Sequence, residues 1–210
     1  IKINDNKLEV GASILDINLS NYAFRQHIEG FEFYSGIPGS IGGAVKMNAG
    51  CYGSETVNVI NSVEICDNFG QRKTISKDKL NLKYRSSKIN ETDIVTKAIF
   101  NFNYGDQNLI KEKINEIKNK RLVSQPIKNK TSGSTFKNPK NFYAAKLIEE
   151  AGCKGTNFGD AYVSDQHANF LINRGNASAT DIENLGKSII EKVYTKFNIE
   201  LEWEVKIIGE

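Results

Sequence analysis

The sequence has few of the residues from which metal sites and disulfides are built. It contains two histidines, His27 and His167, and three cysteines among 210 residues. Cys51, Cys66 and Cys153 are widely spaced and form neither a C-x-x-C pair nor a cluster with histidine. We therefore expect free thiols in a reducing compartment and no metal site.

Long apolar runs and a strong net charge are also missing. No stretch reaches the roughly 18 apolar residues that cross a bilayer, and no signal peptide opens the sequence. The formal charge of +3 is too weak to indicate a nucleic-acid partner. We expect neither nucleic acid nor a membrane as a partner.

Methionine occurs once, at Met47, so residue 1 does not read as a translation start. Alternation over 1–3 and 8–10, around a turn at 4–6, predicts a hairpin whose first strand begins without a lead-in. We therefore expect an upstream portion of the native protein to precede this sequence.

Two kinds of periodicity divide the chain. Up to about residue 104, alternating patterns predict a hairpin of 62–66 with 72–75 and a strand over 94–102, after a short helix capped by Ser20. From about residue 106, apolar residues at helical spacing predict an amphipathic helix that ends before Gln125-Pro126. We expect an α+β protein of two domains, 1–104 and 105–210.

Helices and strands alternate in the second domain. The pattern predicts a helix over 141–151 that stops at Gly152, a strand over 163–172, and a helix that begins with a capping box at Thr180. A final strand over 199–207 alternates in polarity, which places Glu204 on its polar face.

Glycine is concentrated in one stretch. GIPGSIGGAVKMNAGCYG, residues 36–53, holds six of the chain's seventeen glycines. Backbone without Cβ atoms lets a ligand approach the peptide N–H groups, and a phosphate-bearing ligand is the usual occupant. The spacing fits neither G-x-x-x-x-G-K-[ST] nor G-x-G-x-x-G. A turn packed tightly against neighbouring strands is the alternative.

A few polar side chains could carry chemistry. Arg85 offers a planar fork for a carboxylate or phosphate, or a surface ion pair. Ser134 could present its hydroxyl to a ligand or satisfy a turn. Glu204 could be catalytic or one of a solvated row of charges. His167 and Asn169 could be polar core or site wall, and no catalytic triad can be assigned from spacing.

Five motifs taken together point to a family. GIPGSIGGAVKMNAG, YRSS, SGSTFKNP, VSDQHANFLIN and LEWEVKIIGE, in this order and approximate spacing, closely resemble the UDP-N-acetylenolpyruvoylglucosamine reductase family of peptidoglycan precursor synthesis. The resemblance extends over essentially the whole chain. It implies a partial FAD-binding domain of the vanillyl-alcohol-oxidase/PCMH type, followed by a C-terminal α+β substrate-binding domain.

The resemblance also implies the residues that line the FAD site. These are Ile37, Pro38, Gly39, Ser40, Gly42, Gly43, Ala44, Asn48, Ala49 and Gly50. The family's upstream segment, which adds a glycine-containing loop to that site, is absent, so we expect the chain as given to hold FAD weakly. The short path from Asn101 to Pro126 indicates the form of the family without an extra loop that carries a tyrosine.

In this family NADPH reduces FAD, and hydride then passes to the terminal carbon of the enolpyruvyl sugar nucleotide. The resemblance assigns Arg85 to stabilise the enolate-like charge, Ser134 to donate the proton and Glu204 to act with the arginine. It assigns the substrate-binding residues as Asn138, with Tyr84 and Lys137 as neighbours. Two alternatives are a flavin oxidase acting on another substrate and a nucleotide-binding module without redox chemistry.

Overall fold

The computed structural model describes residues 1–4 and 6–209. Asp5, in the turn predicted for the first hairpin, lies outside the described residues. The chain splits into two compact units, Ile1–Lys120 and Arg121–Glu210. The division falls inside a helix, Gln107–Ser124. A domain boundary at 104/105, just before that helix, stays a prediction.

An antiparallel sheet is the frame of unit 1. Up to the helix that contains the division, the elements in chain order are β1 (Lys2–Asn4), β2 (Lys7–Gly11), α1 (Asp16–Arg25), β3 (Ile28–Glu29), the 3-10 helix Glu32–Gly36, α2 (Ile41–Lys46), β4 (Gly50–Cys51), β5 (Ser54–Glu55), α3 (Thr56–Val59), β6 (Ile60–Cys66), β7 (Arg72–Ser76), α4 (Lys77–Leu80), β8 (Ile94–Asn101), β9 (Asn103–Tyr104) and α5 (Gln107–Ser124). The five-stranded sheet has the order β1-β2-β8-β6-β7. Two small sheets pair β3 with β9 and β4 with β5.

Alternation sets the register of this sheet. Leu8 pairs with Phe100 and Val10 with Ala98, and all four side chains are fully buried. Since successive strand residues point to opposite faces, this register puts one row of apolar residues into the core. The predicted hairpin is confirmed as β6–β7, and the predicted strand over 94–102 is confirmed as β8.

Two helix predictions in unit 1 had different outcomes. The predicted amphipathic helix is confirmed as α5, which buries Ile110, Ile114 and Ile117. The prediction that Ser20 caps a helix was wrong, because Ser20 lies inside α1 and is buried. The chain enters α1 one turn earlier, at Asp16.

Unit 2 has α6 (Ala144–Glu150), β10 (Asn157–Phe158), β11 (Ala161–Val163), β12 (Leu171–Asn173) and α7 (Ala179–Phe197), with the sheet order β10-β11-β12. The helix stop at Gly152 is confirmed, since this residue takes a φ of +73°. The span 163–172, predicted as one strand, contains the end of β11 and the start of β12, which pair antiparallel.

Two further predictions in unit 2 were wrong. The capping box belongs to Ser178, whose hydroxyl accepts from the N–H of Asp181 at 3.1 Å while the Asp181 carboxylate accepts from the N–H of Ser178 at 2.8 Å. This pair satisfies the helix N-terminus two residues before Thr180. Within the described residues 199–207 no continuous strand forms; Trp203 makes a single antiparallel bridge with Phe136, and Ile207 is 59% exposed.

The core of unit 2 depends on Trp203. Its ring lies 4.9 Å from that of Phe136 and occupies the space that a Cβ at Gly186 would need. Gly186 lies in the middle of α7 and is buried. Only glycine lets the tryptophan ring come this close to the helix backbone.

Across residues 1–4 and 6–209, no helix combines the length and the apolar character that spanning a membrane requires.

Candidate active site

The glycine run folds into the 3-10 helix, α2 and the hairpin β4–β5. Four of its glycines lack room for a side chain: Gly36, Gly39, Gly42 and Gly50. At Gly42, for example, a Cβ would lie 3.1 Å from the Cβ of Ala12, and the Gly42 N–H donates to the Ala12 carbonyl at 2.9 Å. Tight packing, the alternative that the sequence left open, therefore accounts for these four positions.

The outer face of the run is different. Pro38, Gly39 and Gly43 are exposed, and among the described residues a Cβ at Gly43 would approach only the Ser40 hydroxyl, at 3.9 Å. A cavity of about 630 Å³ lies beside the run on the side of Ala12, and Ser40, Gly42 and Lys46 contribute to its lining. The run thus packs through one side and presents bare backbone on the other.

Asn48 connects the glycine run to the turn that carries Arg85. Its side-chain amide donates to the Glu55 carboxylate at 2.8 Å and to the Lys83 carbonyl at 3.2 Å, and its oxygen accepts from the N–H of Val57 at 2.9 Å. Asn48 is 1% exposed. Protein groups therefore occupy both amide N–H donors, and any contact with a cofactor falls to its backbone or to the second lone pair of its oxygen.

Arg85 lies at the tip of a tight turn. Lys83 and Ser86 exchange two backbone hydrogen bonds of 3.1 Å, which leaves Tyr84 and Arg85 as the two central residues. Arg85 has a φ of +52°, a conformation that non-glycine residues adopt at a cost, and such strain clusters at functional sites. Its guanidinium carbon lies 5.0 Å from the centre of the Tyr84 ring, so these two predicted site residues are in contact.

A buried carboxyl lies behind the glycine run. Asp16 is 1% exposed, and a Cβ at Gly39 would come within 3.0 Å of its Oδ2. Neither of its carboxyl oxygens has a hydrogen-bond partner among the described residues. Burial raises the pKa of Asp16 to about 7. Sequence reasoning missed this residue, because the helix was predicted to begin at Ser20, which left Asp16 outside it.

Ser134 lies in an extended segment, 134–137, that is bonded on both sides. Ser134 bridges to Phe170, and the N–H of Thr135 donates to the carbonyl of Asn169 at 2.8 Å. The Asn169 side chain also accepts from the N–H of Phe136 at 2.9 Å and donates to its carbonyl at 2.8 Å. Asn169 therefore holds this segment through three hydrogen bonds.

Glu204 lies on the opposite side of the same segment. Its N–H donates to the carbonyl of Thr135 at 2.9 Å, and the N–H of Lys137 donates to the carbonyl of Glu202 at 2.8 Å. The structure thus brings Ser134 and Glu204 onto adjacent backbone segments, although these segments are far apart in the sequence, 65 positions between Lys137 and Glu202. The ammonium of Lys137 is paired with the carboxylate of Glu202.

Asn138 has a defined structural contact. Its side-chain oxygen accepts from the N–H of Ala144, the first residue of α6, at 2.9 Å. This bond satisfies one of the unpaired donors of the helix N-terminus. The side chain is otherwise exposed, so the predicted substrate contact has to come from its amide nitrogen or its second lone pair.

His167 is a half-buried neighbour of Asn169. Its Nδ1 accepts from the N–H of Asn169 at 3.3 Å, and its ring lies 4.7 Å from that of Phe170. Burial, with a smaller effect from Lys154, lowers the pKa of His167. The neutral form, which can accept this bond, is therefore favoured at pH 7.

No group of three or more histidine, cysteine, aspartate or glutamate side chains suited to a metal occurs in the part of the chain that the structure describes. The absence of a metal stays a prediction. The three cysteines are free thiols, and burial raises the pKa of the Cys153 thiol.

Comparison with known proteins identifies the family. A family model described as UDP-N-acetylenolpyruvoylglucosamine reductase, C-terminal domain, matches residues 125–208, and one described as FAD binding domain matches residues 1–76. The UDP-N-acetylenolpyruvoylglucosamine reductase of Clostridium tetani is 47% identical over 211 residues, which cover all of this chain and 69% of that relative. The chain belongs to the UDP-N-acetylenolpyruvoylglucosamine reductase family.

Other members of this reductase family agree. The UDP-N-acetylenolpyruvoylglucosamine reductase of Rickettsia akari is 44% identical over 210 residues, covering the whole chain and 71% of that relative. The crystal structure of the enzyme from Thermus caldophilus superposes with a TM-score of 0.85 at 36% identity, and covers 97% of this chain and 74% of that one. The predicted family and fold class are thereby confirmed, and the family is one of oxidoreductases.

The outer face of the glycine run fits an FAD diphosphate. Exposed backbone at Gly39 and Gly43 leaves N–H groups approachable. These residues fall within the match to the FAD binding domain, residues 1–76. Two of the residues predicted for this site are committed to protein groups: the N–H of Gly42 bonds the Ala12 carbonyl, and the side chain of Asn48 bonds Glu55 and Lys83.

Proposed function

We propose that this protein catalyses the NADPH-dependent reduction of UDP-N-acetylglucosamine enolpyruvate to UDP-N-acetylmuramate, a step of peptidoglycan precursor synthesis. The observation that supports this best is the pairing of the Ser134 segment with Glu204 within unit 2 of a chain that belongs to the reductase family. The proposal includes a monomeric, cytoplasmic enzyme, with residues 105–210 as its substrate-binding domain.

FAD, when bound, would supply the hydride that the terminal carbon of the enol ether receives. The exposed backbone at Gly39 and Gly43 would hold its diphosphate through N–H groups, and the remaining residues of 37–44 and 48–50 would line the site around it. The packed inner face supports this role because it fixes the backbone before the ligand arrives.

Arg85 would stabilise the charge that develops on the substrate carboxylate as hydride adds. Its place at the tip of a strained turn, against Tyr84, supports a fixed guanidinium direction. Ser134 would donate its hydroxyl proton to the carbon that bears the carboxylate, and Glu204 would act with Arg85 on the same charge. Tyr84, Lys137 and Asn138 would contact the substrate.

An anaerobic rapid-mixing absorbance experiment on the upstream-extended protein, loaded with FAD, tests the proposal. NADPH is added first, and the enolpyruvyl sugar nucleotide second. We expect the flavin band to bleach with NADPH and to return with the sugar nucleotide. A parallel sample mixed with oxygen in place of the sugar nucleotide is the control.

The other outcomes separate the alternatives. A band that bleaches and returns only with oxygen would indicate a flavin oxidase with another substrate. A protein that binds nucleotides but shows no bleaching would indicate the binding module. Either result would contradict the proposed reductase activity.

A further inference from the structure

We propose that Asn169 is a positioning residue for the proton-donating Ser134 and for Glu204. This inference rests on the proposed function, because it concerns the step in which the substrate carbon is protonated. The sequence left Asn169 open between polar core and site wall, and the bonding pattern around it now favours a third role.

The side chain of Asn169 mimics a strand partner. An amide has the same donor and acceptor as a peptide group, and Asn169 bonds both the N–H and the carbonyl of Phe136, at 2.9 and 2.8 Å. Its backbone carbonyl accepts from the N–H of Thr135 at 2.8 Å. Three bonds therefore fix the two residues that directly follow Ser134.

The same segment carries the constraint across to Glu204. The carbonyl of Thr135 accepts from the N–H of Glu204 at 2.9 Å. The segments that carry the two predicted catalytic side chains are therefore bonded to each other at Thr135, the residue after Ser134. Asn169 is 4% exposed, so water cannot readily replace a lost bond. Movement of the segment would displace both side chains together.

Asn169→Asp is the sharpest change available. Aspartate has nearly the same shape and can still accept from the N–H of Phe136, but it cannot donate to the Phe136 carbonyl and places a carboxylate oxygen against it. Asn173→Asp is the matched control. The Asn173 oxygen accepts from Gly175 and Ala177, and its nitrogen donates to the carbonyl of Ala177 at 3.0 Å. The control thus loses one donated bond while both accepted bonds can persist.

The experiment measures the two half-reactions separately, together with the Kd for the enolpyruvyl sugar nucleotide. For Asn169→Asp we expect the return of the flavin band with sugar nucleotide to slow roughly 100-fold, since small misplacements of reacting groups cost about that much. We expect bleaching by NADPH and the Kd to stay close to those of the parent protein. A merely structural role would lower the thermal midpoint in both variants and leave this split between half-reactions absent.

The outcomes distinguish this inference from the proposed function. A parent protein with no return of the flavin band on adding sugar nucleotide would overturn the proposed function. An active parent and an equally active Asn169→Asp variant would overturn the positioning role alone. If Asn169→Asp does not fold, Asn169→Ser decides: its shorter side chain loses the bonds to Phe136 without adding charge, so a sugar half-reaction at the parent rate would again overturn the role.

Discussion

The side-chain amide of Asn48 donates to the carbonyl of Lys83, at 3.2 Å, across 35 positions of sequence. Lys83 opens the two-residue turn with Tyr84 and Arg85 at its tip. A residue of the glycine run therefore anchors the turn that presents the predicted catalytic arginine. The family resemblance alone assigned Asn48 to the cofactor.

Asn48→Asp should destabilise the protein. The change removes both N–H donors and buries a carboxylate beside the carboxylate of Glu55, so we expect the free energy of unfolding to fall by about 2–4 kcal/mol. Urea denaturation measures this. Asn58→Asp is the control. The Asn58 side chain is exposed, and its oxygen accepts from the N–H of Glu55 at 2.7 Å, a bond that aspartate can also accept. Equal stability of the two variants would contradict the anchoring role.

Ser134→Ala should separate the two half-reactions. Loss of the hydroxyl removes the proposed proton donor, so we expect unimpaired bleaching by NADPH and a sugar half-reaction slowed at least about 100-fold. Stopped-flow absorbance measures both. Ser132→Ala, at an exposed serine of the same loop, should behave like the parent. Full turnover in Ser134→Ala would remove Ser134 from the mechanism.

Gly42→Ala and Gly43→Ala should fail in different ways. A Cβ at Gly42 would press on Ala12 at 3.1 Å, so we expect Gly42→Ala to lower thermal stability. Gly43→Ala has open space and should fold normally, yet its methyl group would stand on the outer face and weaken FAD binding. Thermal midpoints and the Kd for FAD, from fluorescence titration, measure the two effects. Unchanged FAD affinity in Gly43→Ala would place the cofactor elsewhere.

Asp16 should make stability depend on pH. Its pKa is about 7 in the folded protein and 3.8 when the side chain is fully in water, so between these values the folded state holds a proton that the unfolded state has lost. The contribution of Asp16 to the free energy of unfolding is therefore greatest below about pH 4, decreases as the pH rises from about 4 to about 7, and is constant above that. We expect a total of at most about 4 kcal/mol, since the shift is about 3 pKa units and one unit corresponds to about 1.4 kcal/mol.

Asp16→Asn tests this dependence. Urea denaturation at a series of pH values, in the protein without FAD, should show a flatter profile for Asp16→Asn than for the parent. Asp78→Asn, at an exposed aspartate of α4, should keep the parent profile. Identical slopes in Asp16→Asn and the parent would show that Asp16 does not titrate in this range.

Gly186→Ala should destabilise unit 2, although glycine to alanine inside a helix usually stabilises by about 1 kcal/mol. The added Cβ would overlap the ring of Trp203, and we expect a net loss of about 1–3 kcal/mol. Trp203→Phe removes the overlapping part of the ring, so the double variant should lose less than the sum of the two single changes. Strict additivity in a chemical-denaturation cycle would show that the two residues do not interact.

Local patterns predicted the regular elements well. Period-two alternation identified β6 and β8, and helical spacing identified α5, because these segments bury one face each. The predicted β7 also forms, although most of its residues are exposed. The same alternation failed over 199–207, where a single bridge forms at Trp203 and Ile207 is exposed. An apolar row forms a strand only where a neighbouring segment pairs with its backbone over several residues.

Sequence alone determined the family and the α+β class, and it predicted the site residues Arg85, Ser134 and Glu204, since these follow from residue types in a fixed order. Tertiary structure decided which polar groups hold them. The amide of Asn48 bonds 35 positions away and that of Asn169 bonds 33 positions away. Such a hydrogen bond forms only where the folded chain places an unpaired backbone group beside the amide. Local periodicity in the sequence does not predict where this occurs.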